Sequence, residues 1–436
     1  MERILSRDVA AHVGKHIVIA GWLHKKRLLG GLNFIALRDR SGVTQSLVDN
    51  KDELEKLRGL QIGTVLQLAG TVVADERAPG GAELHDVTVT VITPVTDEPP
   101  IEIDKPISHK PEHLDTLFDY RVLNVRNPAE QKIFKIRNAL VREIREYLYR
   151  HDFTEIDTPK LLGAATEGGA EVFQLDYFGQ QATLAQSPQF YKQIMVGAFE
   201  RVYEIGHAYR AEPSATTRHM TELTMLDIEM GFVENHDEVM DFVGDMTMTV
   251  LKNVYASYAT ELKSLGAPEL KLPEGKVPRF TVAQIHEMYS QANQTDTTSE
   301  KDLIPDEERW IAEYARKELG SDVVYATNFP SEAGKFYHKF YDDGTVAWAD
   351  LLFRGLEIAT VPLRENDHDT MVEQMTRAGL DVTADGFKYY LQAFKFGLPM
   401  HGGCGFGIDR LVQKTIGLGN VKEATLFPRD INRLMP

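Results

Sequence analysis

Three short stretches carry side chains suited to an anionic, phosphorylated substrate. The first, RVYEIGHAYRAE from Arg201 to Glu212, alternates like a strand. Glu204, Gly206, Ala208 and Arg210 then share one face, and Tyr203, Ile205, His207 and Tyr209 the other. Small residues beside an arginine and a glutamate leave room for a ligand. The loop PSATTRHMTE leads to a second alternating strand, in which Leu223, Met225, Asp227 and Glu229 share a face. Strand, basic loop and returning strand make a clamp for an anion, although the same spacing fits an exposed hairpin with surface ion pairs.

The second stretch, HGGCGFGIDR from His401 to Arg410, runs into an apolar periodic segment containing Leu411, Val412 and Ile416. Glycines permit close backbone approach, and a helix start offers N–H groups and a positive dipole end to an anion. Arg410 falls in the first turn. The pattern is neither GxGxxG nor a Walker loop, so it also fits a structural glycine turn. The third stretch, DLLFRGLE, sets Asp350 and Glu357 in apolar surroundings. Buried carboxylates are costly unless paired or metal-bound, so they are a candidate magnesium site for a nucleoside triphosphate or partners for nearby arginines. Their odd spacing puts them on opposite faces of a straight strand. Gly355 must therefore mark a bulge or turn if both are to reach one metal.

These stretches need a scaffold. From Lys132 onward, Ile133, Ile136, Leu140, Ile144 and Leu148 recur at helical spacing, which predicts a long amphipathic helix. FTEIDTP follows as an alternating strand closed by Pro159. Strands and helices then mix irregularly, so residues 126–436 read as an α+β domain with an antiparallel sheet flanked by helices. The stretch from about 262 to 330 reads as an insertion. Before all this, HIVIAGWLHKKR, LGGLNFIALRDRSG, TVLQLAGTVVADE and LHDVTVTVITPV alternate β-rich runs with turn residues. Residues 1–97 thus form a small β module, fitting a five-stranded OB barrel of the kind that binds oligonucleotides. The Pro-containing segment 98–125 reads as a hinge.

Composition narrows the class. A chain of 436 residues is long enough for two or three domains, and 43% hydrophobic with 26% charged residues is an ordinary globular mix. The single cysteine, Cys404, excludes an internal disulfide and a cysteine-cluster zinc site. With no signal-like amino terminus and no apolar run of membrane-spanning length, the expectation is a soluble cytoplasmic protein without membrane contact. A net charge of -17 argues weakly against nucleic acid. The local run from His24 to Arg27 is basic, however, and taken alone reads as a solvated loop.

In order and spacing, FTEIDTP, YRAE with TTRHMTE and DIEMGF, and GFGIDR resemble the three signature motifs of class II aminoacyl-tRNA synthetases. ATEGGAEVF followed by QSPQFYKQ is similar to the aspartyl enzymes of the archaeal type, including bacterial relatives that charge both tRNA(Asp) and tRNA(Asn). The likeness spans nearly the whole chain. It implies a homodimer with the first motif at the interface, ATP and L-aspartate as substrates, Mg2+ as cofactor, and an anticodon-binding barrel.

By the same resemblance, Arg210, with Glu212 nearby, would bind the α-phosphate and the aspartate carboxylate. Arg218, His219, Met220, Gly407 and Arg410 would hold the rest of ATP, and Asp350, Glu357 and Thr360 the Mg2+. Glu167, Gln189, Lys192, Asp227, Thr360 and Arg364 would form the amino-acid pocket. Lys192 and Arg364 would select a side-chain carboxylate, and their presence argues against an asparaginyl enzyme, because an amide would leave both cations unpaired. The anticodon contacts would be His24, Arg27, Phe34, Gln45 and Pro79. Read with Phe34, the basic run becomes an RNA contact. Relatives restricted to tRNA(Asp) carry tryptophan and lysine where this chain has His24 and Pro79, which implies relaxed tRNA choice and a tRNA-dependent amidotransferase as partner. The intact barrel argues against a tRNA-independent adenylate-forming ligase, and Arg210, Glu357 and Arg410 against a non-enzymatic relative. One departure stands out: Thr360-Val-Pro-Leu-Arg364 replaces the usual Ser/Thr-Gly-Gly-Gln-Arg, which predicts a reshaped amino-acid pocket.

Overall fold

The computed structural model describes residues 2–28, 32–105, 109–110, 113–163, 172–213 and 216–436. The chain divides into two compact units, Met1–Gln131 and Lys132–Pro436. No helix among the described residues is long and apolar enough to cross a membrane.

The first unit is built on a closed barrel. Its strands are β1 (His16–Leu28), β2 (Asn33–Arg38), β3 (Val43–Leu47), β4 (Val65–Ala74) and β5 (Ala82–Thr93), in the order β1-β2-β3-β5-β4. Helix α1 (Lys51–Arg58) is capped at its start by the Asn50 side chain. Alternation fills the interior with Ile17, Ile19, Leu23, Ile35, Leu37, Leu66, Leu68 and Leu84. The segment read as a hinge holds two helices, α2 (Leu114–Asp119) and α3 (Arg121–Asn124). There the fully buried Arg121 donates to Glu130 at 3.2 Å.

Helix α4 (Pro128–Arg150) opens on a proline, which suits the first turn, and buries Ile133, Ile136, Leu140, Ile144 and Leu148 as their spacing predicts. The predicted strand after it is short. Only β6 (Thr154–Glu155) pairs, in parallel with β10 (Arg201–Tyr209), because Thr158 turns its hydroxyl to Glu204 at 2.6 Å before Pro159 closes the segment. Strands β7 (Leu161–Leu162), β8 (Gln174–Tyr177) and β9 (Gln180–Leu184) form a small sheet. Then come α5 (Gln189–Phe199), β11 (Glu222–Gly231), α6 (His236–Ser257) and α7 (Ala259–Ser264).

The remaining elements are β12 (Arg279–Thr281), α8 (Val282–Asn293), α9 (Pro305–Glu318), β13 (Val323–Pro330), β14 (Thr345–Phe353) and β15 (Glu357–Pro362), followed by α10 (His368–Arg377), α11 (Asp385–Lys395), β16 (His401–Gly407) and α12 (Ile408–Ile416). The central sheet runs β12-β13-β14-β15-β16-β11-β10-β6, antiparallel except for the two outermost pairs. Its core joins α4, α6 and α12 to β11, β14, β15 and β16. Part of the stretch 262–330 is therefore not an appended module, since β12 and β13 are sheet strands and the Val323, Val324 and Tyr325 side chains are buried in it.

Candidate active site

In antiparallel β10 and β11, Asp227 stands mid-ladder opposite Glu204, and Arg210 follows directly on the end of β10, where Tyr209 is opposite Glu222. Just beyond β10, the Arg210 amide donates to Thr221 O at 2.9 Å, which fixes the root of the intervening loop. The room expected beside Gly206 is filled: a side chain there would meet Glu204 and Lys160, and Glu204 is committed to Thr158 and Lys160. Glu204 is thus part of the scaffold.

Strand β16 lies against β11 so closely that a Cβ on Gly403 would fall 1.9 Å from Ile228 O. That glycine is required by sheet packing, whereas Gly405 and Gly407 border a cavity. Helix α12 then starts at Ile408, and its second residue, Asp409, accepts from Thr224 N at 2.8 Å and from Arg137. Arg410, in the first turn, donates to the Glu357 carbonyl at 2.9 Å and to its carboxylate at 3.0 Å.

Asp350 and Glu357 come together through a hairpin. Arg354 and Gly355 have positive φ angles of 51° and 75°, as a two-residue turn of this hand requires. The ladder then slips between Leu351 and Leu352, so Asp350 pairs with Thr360 while Leu352 pairs with Glu357. Thr360 donates to Glu357 at 3.0 Å, and the Trp348 indole N–H donates to Asp350 at 2.7 Å. Burial and the Glu357 charge push the Asp350 carboxyl well above its usual range. Burial acts on Glu357 in the same sense, but Arg410 and Thr360 outweigh it and hold that group low.

A buried charge cluster forms the other wall. The Lys192 ammonium donates to Asp227 and to Cys404 O, each at 2.9 Å, and lies 3.6 Å from Glu229. Arg364 donates through Nε to Glu229 at 3.0 Å and through Nη2 to Gln189 at 3.1 Å, with its guanidinium over Tyr337. Gln189 in turn donates to Gln193 at 2.8 Å. Burial keeps His401 below its ordinary value, Glu229 opposing, so its ring stays neutral beside Gln193. Both cations therefore already have carboxylate partners, Asp227 and Glu229. This corrects the expectation that an amide ligand would leave them unpaired.

The two walls enclose one cavity of about 290 Å³. Arg210, Glu212, Arg218, His219, Met220, Glu357, Gly407 and Arg410 line it, together with Gln189, Lys192, Asp227, Thr360 and Arg364. Asp350 lies behind Trp348 and Thr360, off the lining. Burial, together with the three arginines and against Glu212, lowers the His219 pKa and keeps its ring neutral. Glu167 lies outside the described residues. The sequence reading assigned no role to Glu229, Trp348, Tyr337 or His338. The aromatic and basic run KFYHKF was the one local signal for the last two.

Residues 113–431 match the family of class II tRNA synthetases (D, K and N), and residues 17–92 match the OB-fold nucleic acid binding domain. The chain is a class II tRNA synthetase. The synthetase is 40% identical over the full length of both chains to an aspartate–tRNA(Asp/Asn) ligase of Thermus thermophilus. It is 38% identical, over 97% of each chain, to an aspartate–tRNA(Asp) ligase of Pyrococcus abyssi. Among solved structures, asparaginyl-tRNA synthetase from Pyrococcus horikoshii complexed with asparaginyl-adenylate superposes with a TM-score of 0.91, at 30% identity and full coverage of both chains.

The barrel of the synthetase has its own polar face. Arg27 and Phe34 are cross-strand neighbours on its outer side, and Gln45 donates to Glu83 at 2.7 Å. His24 sits at the bulge in β1, its pKa lowered by burial and Arg38, and Pro79 is exposed in a short turn between β4 and β5. Lys26 departs from the expected RNA-facing run, because its ammonium caps the end of α1 through Leu57 O at 3.3 Å and Arg58 O at 3.2 Å.

Proposed function

We propose that the synthetase activates L-aspartate with ATP and transfers it to tRNA, accepting both tRNA(Asp) and tRNA(Asn). The observation that carries this reading is one cavity in which Arg210 and Arg410 lie across from the buried cations Lys192 and Arg364. Arg364 keeps both Nη1 donors unspent among the described residues, whereas the three Lys192 N–H groups are turned to Asp227, Cys404 O and Glu229. Donors left over after internal pairing suit a side-chain carboxylate, which accepts only; the –NH2 of an amide would oppose them. The name of the Thermus relative points the same way.

In this reading the aspartate α-carboxylate attacks the α-phosphorus of ATP in line, the P–O bond to pyrophosphate breaks, and aspartyl-adenylate forms. Arg210 meets the charge developing on the α-phosphate, while Arg218, His219 and Arg410 hold the rest of the nucleotide, with Glu212, Met220 and Gly407 lining its bed. The terminal ribose hydroxyl of tRNA then attacks the anhydride carbonyl and AMP leaves. Gln189, Asp227 and Glu167 complete the amino-acid pocket.

Asp350, Glu357 and Thr360 fit a magnesium site. They are hard oxygen donors, and the Glu357 charge adds to burial in raising the Asp350 pKa, so a cation held there would relieve the repulsion. When bound, Mg2+ would neutralise phosphate charge. In the barrel, Phe34 would stack an anticodon base beside Arg27, with Gln45, His24 and Pro79 around it. The synthetase would work as a cytoplasmic homodimer, and aspartyl-tRNA(Asn) would require a tRNA-dependent amidotransferase.

Aminoacylation of purified tRNA with labelled aspartate tests the reading. Formation of an ester bond dependent on ATP and aspartate is expected; its absence with well-folded protein and active tRNA would contradict it.

A further inference from the structure

Helix α9 reaches the phosphate side of the cavity from the stretch read as an insertion. The helix is fixed in three ways. Pro305 starts it, and the Glu307 carboxylate accepts from Ile304 N at 3.1 Å and sits 2.7 Å from His286 Nδ1. The Arg309 backbone presses on the β14–β15 turn so closely that a Cβ on Gly355 would lie 3.1 Å from the Arg309 Cα. One residue before Arg309, Glu308 accepts from Arg218 Nη2 at 2.6 Å, and the same nitrogen is 3.3 Å from Gly355 O. The two side chains are only 14% and 24% exposed.

A guanidinium has five N–H donors in a rigid fork. Here Glu308 and Gly355 take both hydrogens of Nη2, leaving Nε and Nη1 without a partner among the described residues. Arg218 lines the cavity, whereas Glu308 is not on its wall. We propose that Glu308 is a positioning residue: it clamps one edge of Arg218 so that the remaining donors are pre-aimed at the ATP phosphates. The clamp stands on the rigid turn whose strands carry Asp350 and Glu357, so α9 ties the aim of Arg218 to the carboxylate pair. This rests on the reading of Arg218 as a triphosphate ligand.

Arg218→Ala, Glu308→Ala, Glu308→Gln and the Arg218→Ala/Glu308→Ala double variant separate the two claims in aspartate-dependent pyrophosphate exchange, alongside equilibrium ATP binding. Loss of a charge-assisted phosphate contact in Arg218→Ala should raise KM for ATP by about tenfold or more. Glu308→Ala should raise it about fivefold with a smaller change in kcat, since only the orientation of the ligand is lost. Glu308→Gln keeps an acceptor oxygen and should recover most of the difference. The double variant should match Arg218→Ala, because Glu308 acts only through that arginine. If Glu308→Ala leaves KM for ATP unchanged or lowers it while Arg218→Ala raises it, the clamp is wrong. An unchanged KM in Arg218→Ala removes the triphosphate reading and the clamp with it. Loss of the parent melting temperature in Glu308→Ala shifts the decision to Glu308→Asp, which keeps the charge but draws the carboxylate back from Arg218 and should raise KM for ATP; an unchanged KM in that variant would overturn the proposal.

Discussion

Arg364 and Glu229 meet through two hydrogen bonds in the interior, Nε to Oε1 at 3.0 Å and Nη2 to Oε2 at 3.3 Å. Removing one partner of such a pair strands the other. Glu229→Gln should cost about 3 to 5 kcal/mol at neutral pH, read by urea denaturation. Burial tends to raise the Glu229 pKa, but the Arg364 and Lys192 charges outweigh it and hold the group below its usual value. Its contribution is therefore complete above the ordinary carboxylate range and is lost as pH falls through the folded value. The stability difference between parent and variant should shrink on acidification; a difference that widens would contradict this assignment.

Arg210→Ala and Arg410→Ala should each lose adenylate formation by about 100-fold or more, because each removes a charge-assisted contact made to the reacting phosphates. Neither side chain is a core member, so circular dichroism should stay near the parent; melting should too for Arg210→Ala, whereas Arg410→Ala also frees Glu357 and should lower it modestly. Parent-like exchange rates in either variant would remove that arginine from the phosphate site.

How much of this was readable in the sequence depends on the range of the interaction. The helix over Ile133 to Leu148 was legible because its burial has the period of the backbone itself. Strand β3 was not, since Val43–Leu47 has a polar centre, Thr-Gln-Ser, that hides its alternation. Motif residues such as Arg210 and Arg410 were legible because short local patterns carry them. The pairs Arg364–Glu229 and Arg218–Glu308 were not, because they join residues 135 and 90 positions apart and nothing in the local pattern names the partner. Lys26 looked like its basic neighbours until the barrel turned it toward the end of α1.

The Thr360–Arg364 departure divides on its two central residues. Val361 is fully buried in the main core, whereas Pro362 lines the cavity opposite Trp348, which itself stacks on Phe329 at 4.4 Å. The bulk expected to reshape the pocket is therefore Pro362 alone. Pro362→Gly should lower KM for aspartate, and Val361→Gly should instead cost roughly 2 kcal/mol or more of stability by opening a cavity. An unchanged KM in Pro362→Gly would remove proline as the cause.

Transcripts of tRNA(Asp) and tRNA(Asn) should be charged with aspartate at comparable efficiency. Their anticodons differ only in the third base, and Pro79 offers neither a side-chain donor nor an N–H to read it. A preference above about 100-fold, more than the roughly 3 kcal/mol one contact supplies, would refute relaxed choice. Phe34→Ala should weaken both reactions alike, by about 1 to 3 kcal/mol for a lost stack.

Pyrophosphate exchange with single amino acids, run without tRNA, tests the assignment of aspartate most directly. The unspent Nη1 donors of Arg364 predict robust exchange with aspartate and at least about 100-fold less with asparagine, the order of discrimination expected when buried donors face an amide. Exchange with asparagine equal to or above that with aspartate would contradict the account.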